Sequence, residues 1–311
     1  MSKKRIGWLL LIVFILINAI AFQHAYKFTH FSRETVARTK DPAELSVLDK
    51  MQLLFTGIDN PRPMQKEVPG AAFKTVKVIS TEELECWKIG TRNSQGTVIM
   101  FHGYAGEKSS LIMRADEFRK LGYTTFLVDF MGSGGSGGNT TSIGYKEAEQ
   151  VKDCFEYIHK EEKNVILFGT SMGAAAVLKA MDDYELPVTS VILECPFGSL
   201  YKTVQARFRL MHIPTFPMAG LLCFWGGLQN GYWAFSHNPS RYAQAVKCPA
   251  LILFGEEDNR VSREETDEIY TSLNNNNKVL KVYPHVGHNI FTIANKSQWV
   301  RDVSAFLKTA N

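Results

Sequence analysis

The sequence predicts an α/β fold: a mostly parallel central sheet with helices on both faces, a helical insertion, and an apolar helix at the N-terminus. Three observations carry this. From about residue 73 to 308, short β-rich runs alternate with helical stretches, the pattern of βαβ crossovers. Between about 197 and 246 the alternation stops, and no clear β run occurs. At the start of the chain, Ile6 to Phe22 is a 17-residue stretch without a charge.

The apolar start follows Lys3-Lys4-Arg5. As a helix, 17 residues reach roughly 26 Å at 1.5 Å each, slightly short of a hydrocarbon core of ~30 Å. Ala25, Tyr26 and Phe28 extend it. Two membrane readings compete. Trp8 and Tyr26 suit the interfaces of a retained single-pass anchor. Ala19-Ile20-Ala21 fits the small-x-small pattern of a cleaved signal, which gives a secreted protein. The anchor is favoured because the chain stays apolar beyond Ala21. The basic triplet then places the N-terminus in the cytoplasm and the rest outside it.

Charge divides along the same line. The chain carries a formal +4, but residues 1–40 hold seven Lys and Arg against Glu34, which leaves the other 271 residues at −2. A basic tether on a slightly acidic body excludes a nucleic-acid surface as the source of the net charge. With 45% hydrophobic residues the chain builds a sizeable core, which rules out disorder. Five scattered cysteines (86, 154, 195, 223 and 248) make no disulfide scaffold and have no metal-ligand spacing.

The elements follow in order. Residues 1–40 form the anchor or signal segment. Residues 41–72 are a lead-in, with a helix over 42–58 after an Asp41 cap and a linker from Asn60-Pro61-Arg62-Pro63. The remaining domain, 73–311, opens on a hairpin (Phe73–Ile79, Leu84–Ile89). Strands are predicted at Thr97–Phe101, Thr124–Phe130, Asn164–Phe168, Val188–Leu193, Ala250–Phe254 and Lys278–Tyr283. Helices are predicted at Ser109–Lys120, Ser142–Lys160, Gly173–Met181, 263–273 and 297–308. Inside the insertion, Ile213 to Ser240 has no Asp, Glu, Lys or Arg but holds Phe216, Phe224, Trp225, Tyr232, Trp233 and Phe235. It reads as a lid over an apolar pocket.

The chemistry starts at Gly169-Thr170-Ser171-Met172-Gly173, which follows a strand and opens an alanine-rich helix. This is the G-x-S-x-G nucleophile elbow in its strand–turn–helix context. Serine on so tight a turn adopts strained backbone angles, and the flanking glycines avoid Cβ clashes. The helix N-terminus then faces a developing oxyanion. A second match, Gly134 to Gly138, runs into Asn139-Thr140-Thr141 and reads as a flexible turn. Ser171 needs a base, and the base an orienting acid. Asp258 lies just past the strand ending at Gly255, and His288 just past the strand ending at Tyr283. All three therefore sit at C-terminal strand ends, where open α/β sheets place their sites. Glu256 and Glu257 are rival acids and His285 a rival base. For the oxyanion hole, the amides of Met172 and of Tyr104, in the His102-Gly103-Tyr104 loop, are the candidates. His102 precedes the serine in the wrong order for a base, and reads as a loop support.

With these residues assembled, the chain resembles the α/β-hydrolase superfamily, specifically membrane-anchored serine hydrolases of the serine-aminopeptidase-like or BEM46-like type. The resemblance covers about 73–308 and rests on His102-Gly103, Asp129 with its Gly-rich loop, the elbow, Gly255-x-x-Asp258 and Gly287-His288. Members usually carry an arginine before the first glycine of the loop after Asp129. Met131 stands there instead, which puts a structural salt bridge in doubt. The resemblance implies a serine hydrolase with Ser171 as nucleophile, Asp258 and His288 as its partners, and no cofactor. The apolar insertion and the tether point to an ester or thioester of an apolar acyl group, including lipids. A serine-aminopeptidase-type peptidase is the rival within the class, and a non-catalytic membrane-tethered binding module the rival outside it.

Overall fold

A computed structural model describes residues 2–32, 39 and 46–310. The chain divides into two compact units, one formed by residues 62–199 and 238–311 and the other by 1–61 and 200–237.

The larger unit is built on an eight-stranded sheet. Its strands are β1 (Lys74–Ile79), β2 (Glu83–Ile89), β3 (Thr97–Phe101), β4 (Thr124–Val128), β5 (Val165–Thr170), β6 (Ser190–Glu194), β7 (Ala250–Gly255) and β8 (Lys278–Tyr283). They lie in the order β1-β2-β4-β3-β5-β6-β7-β8. The β1–β2 hairpin pairs antiparallel, and β2 joins β4 antiparallel; every other pairing is parallel. β3, β4, β6 and β7 are buried at every position, which is why they read as unbroken apolar runs rather than alternating ones. On one face, Met100, Ile166, Phe168, Ile192 and Leu251 pack against Ile112, Ala115 and Phe118 of α3 (Ile112–Lys120). Trp299, Val303 and Phe306 of α10 (Lys296–Ala310) complete that cluster. α4 (Glu147–His159) and α5 (Met172–Asp183) pack on each other and on β3 and β5. Short α8 (Pro239–Tyr242) and α9 (Arg263–Ser272) complete this unit.

Two predicted helix starts differ. The stretch from Ser142 is a loop, and α4 begins at Glu147. The Glu147 carboxylate gathers the Thr141 hydroxyl (2.7 Å) and the amides of Ser142 and Gly144 (3.0 Å each), and Ile143 and Gly144 have positive φ. Side-chain bonding to backbone outcompetes helix here. In the lead-in, the expected Asp41 cap and Pro42 fall outside the described residues. The helix α2 runs over Val47–Thr56, with Ser46 and Asp49 forming a reciprocal capping box.

The smaller unit contains α1 (Lys3–Thr29), α2, α6 (Leu200–Leu210) and α7 (Met218–Asn230). α1 is unbroken for 27 residues and continues past Ala19-Ile20-Ala21. It is long and apolar enough to cross a membrane.

Candidate active site

Ser171, Asp258, His288 and Tyr104 lie in loops or turns that follow the C-terminal ends of strands, and Met172 opens the helix after Ser171. Ser171 joins β5 to α5 with φ 50° and ψ −109°, a conformation that L-residues rarely adopt. Its amide donates to Glu194 O (2.8 Å), which pins the turn. The flanking glycines are required by contact: a Cβ on Gly173 would lie 2.4 Å from Phe101 O, and one on Gly169 2.5 Å from Ala174 N. No side chain fits between a strand and a helix held this close.

His288 Nε2 is 3.0 Å from Ser171 Oγ, and its Nδ1 is 2.7 Å from Asp258 Oδ2. A carboxylate accepts from Nδ1–H, so this pairing leaves Nε2 free to accept from the serine hydroxyl. The other Asp258 oxygen accepts the amides of Arg260 (2.8 Å) and Val261 (3.1 Å). Burial pushes the Asp258 carboxyl up, but His288 and these two amides outweigh it and hold the group below its ordinary range. The rivals are elsewhere: His285 is 87% exposed and pairs with exposed Glu257 at 3.2 Å, and Glu256 is exposed as well.

The loop after β3 runs beside the serine, since a Cβ on Gly103 would be 3.6 Å from Ser171 Cβ. Tyr104 is the next residue, and Met172 is the first residue of α5. His102 is fully buried, and its Nε2 accepts the Phe130 amide (3.1 Å). Its Nδ1–H then donates to Gly103 O (2.8 Å). Burial lowers its pKa more than nearby carboxylates raise it, so it stays a neutral strut.

Residues 92–222 and 234–296 match the family model described as serine aminopeptidase, S33. The chain belongs to this hydrolase family. It is an α/β hydrolase by fold and family. Among relatives, it is 27% identical over 245 residues to the membrane protein YNL320W of Saccharomyces cerevisiae, covering 75% of this chain and 80% of that one. It is 24% identical over 241 residues to the human acylamino-acid-releasing enzyme, covering 68% of this chain but 31% of the enzyme. Among solved structures, it resembles the Pyrococcus furiosus esterase Pf2001 with a TM-score of 0.64 and 25% identity, over 80% of this chain and 98% of the esterase.

Around the S33-type elbow lies a support network that the sequence reading missed. Asp129, at the end of β4, has a buried cation despite Met131: Lys108 Nζ is 2.5 Å from Asp129 Oδ2 and 2.8 Å from Glu85 Oε1. Burial lowers the Lys108 pKa, and the two carboxylates more than reverse this. A second cation, Arg62, fills the glycine loop itself and donates to the carbonyls of Ser133, Gly134, Ser136 and Gly138. Ser136 is buried, its hydroxyl donating to Asp129 O (2.7 Å), so the expected flexible turn is instead a clamped one. Behind the histidine loop, Arg114 Nη2 meets Glu194 Oε2 at 2.8 Å and Asn289 Oδ1 at 3.4 Å. Trp299 Nε1 donates to Glu194 Oε1 at 2.6 Å.

Cys195 was also missed, although it follows β6 as the candidate residues follow β5, β7 and β8. It is buried with φ 46°, and its sulfur lies close to Asp258 and His288. Burial and the neighbouring Asp258 hold the thiol well above its ordinary range, so it stays protonated. This trio has metal-ligand proximity, but both His288 nitrogens are engaged, one with Asp258 and one with Ser171.

Proposed function

We propose that this protein is a membrane-anchored serine hydrolase that cleaves an ester or thioester of an apolar acyl group through an acyl-enzyme on Ser171. The observation that carries the reading is the continuous hydrogen-bonded run Ser171 Oγ, His288, Asp258, with separations of 3.0 and 2.7 Å.

Ser171 Oγ attacks the acyl carbon while His288 Nε2 takes its proton. Asp258 orients the ring through Nδ1–H and stabilises the imidazolium. The carbonyl electron pair moves to oxygen, where the amides of Tyr104 and Met172 donate to it. Collapse expels the leaving group, which takes the proton from His288. Water then attacks the acyl-enzyme by the same relay, releasing the acid and restoring the serine. Every step uses side chains and amides of this chain.

The uncharged aromatic stretch from Ile213 to Ser240 supports an apolar acyl group, and an esterase is among the structural relatives. The acylamino-acid-releasing relative favours a second reading, peptide or aminoacyl-amide cleavage at the same serine. The two separate on paired substrates. With p-nitrophenyl esters of rising chain length and aminoacyl p-nitroanilides, kcat/KM should be greater for the esters and rise from acetyl to medium chains. Ser171→Ala should abolish both activities. Preference for anilides supports the peptidase, and a sharp optimum at acetyl counts against an apolar acyl site.

We read α1 as a retained anchor with its N-terminus cytoplasmic. The support is the basic Lys3-Lys4-Arg5 start, the helix's continuity through Ala21, and the likeness to a yeast membrane protein.

A further inference from the structure

α7 is an unusual helix for a water-exposed insertion. Its 13 residues, MAGLLCFWGGLQN, carry no charge. Its buried positions, Ala219, Cys223, Gly226, Gly227 and Asn230, are nearly all small and recur at helical spacing. α1 presents a matching stripe, Ala21, Ala25 and Thr29, one residue per turn. The two helices pack closely, and a Cβ on Gly226 would lie only 3.8 Å from Ala25 Cβ. Two side-chain hydrogen bonds and a ring contact cross the seam. Trp225 Nε1 donates to Asn18 Oδ1 (3.2 Å), Gln229 Nε2 donates to Phe22 O (2.9 Å), and Phe22 meets Trp225 edge to face. Small residues at the contact and interhelical hydrogen bonds are how helices associate within lipid, where no hydrophobic drive acts between them.

Outside this contact both helices expose apolar side chains. On α1 these include Leu10, Ile12 and Phe14; on α7, Phe224 and Leu228; and beside α7, Phe216, Trp233 and Phe235. Thus the exposed apolar surface of the anchor continues onto the insertion. α6, which enters the insertion, carries the exposed Arg209 and no acid. α7 is roughly 20 Å long, too short to span a ~30 Å core but right for a half-inserted helix.

We propose that α7 is a second membrane element: it is embedded in the bilayer beside α1, with Phe224 and Leu228 facing acyl chains and Trp233 at the headgroup boundary. The inference rests on the reading of α1 as a retained anchor. The lipid bilayer is the partner, and the insertion between β6 and β7 is therefore held to it by more than the single span.

The test uses the full chain with Cys248→Ser, reconstituted in phosphatidylcholine–phosphatidylglycerol vesicles and labelled with a fluorescent nitrobenzoxadiazole maleimide at one introduced cysteine. The positions are Leu228→Cys and, independently, Phe224→Cys on α7, Ile12→Cys on α1, and Lys120→Cys on the sheet unit. Lipid-borne nitroxides should quench the α7 and α1 labels by roughly half or more, while aqueous iodide leaves them bright. The Lys120 site should respond in the opposite way. If Ile12 is quenched by lipid nitroxide while both α7 sites are quenched by iodide, the inference is overturned and the anchor stands. If iodide quenches all four sites, the anchor reading fails with it.

Discussion

At the residue scale, the site depends on a few positions where geometry leaves no choice. Ser171 holds a positive φ between two glycines whose side chains would strike backbone, and the elbow motif announced all three in the sequence. Asp258 and His288 stand out for a different reason, because each closely follows the end of a sheet strand. Cys195 obeys the same rule but escaped notice, since cysteine after a strand has no motif of its own. The Asp258 role is testable on two axes. Asp258→Asn should lower kcat by about 10⁴-fold with KM little changed, because the amide favours the wrong histidine tautomer. Its carboxyl is held below its ordinary pKa, so its contribution to stability is complete above about pH 4 and is lost as pH falls through the lower folded value. Denaturant titrations across the acid limb should therefore show the gap between wild type and Asp258→Asn closing as pH drops. A gap that widens toward acid contradicts the assignment.

At the element scale, strands were more legible than helices. β3 and β8 coincide with their predicted spans, β3 as a fully buried run and β8 as a half-buried edge strand that follows the Asn274–Asn277 turn. The start of α4 was misread, because Glu147 captures the preceding hydroxyls and amides, and composition alone does not show which way a carboxylate turns. The Asp129 support was misread too. The cation comes from Lys108, at the far end of the β3 loop, and Arg62 reaches the glycine loop from the lead-in, more than seventy residues away in sequence. Such pairings are tertiary and leave no local pattern. Lys108→Met leaves Asp129 buried without its cation, and should cost about 3–5 kcal/mol of unfolding free energy by chemical denaturation. Asp129→Asn combined with Lys108→Met should recover part of that loss. If the single variant is as stable as wild type, the pair does not support the fold.

At the scale of the whole molecule, the sequence separated a basic apolar start from a slightly acidic body, and the charge-free insertion stood out from the strand–helix alternation. It did not reveal that residues 200–237 group with 1–61 in one compact unit, because the link is a seam of small residues and two hydrogen bonds, not a charge pattern. Chemistry and tether nevertheless belong to one chain, and the proposed function turns on a covalent intermediate on Ser171. The direct measurement is to treat the full-length protein in isolated membranes with a fluorophosphonate, then determine intact mass and map the adduct by peptide sequencing. One adduct per chain is expected, on Ser171, with none on Ser136 of the second G-x-S-x-G and none at all in Ser171→Ala. Folded wild-type protein that stays unmodified, or an adduct that persists in Ser171→Ala, would contradict it.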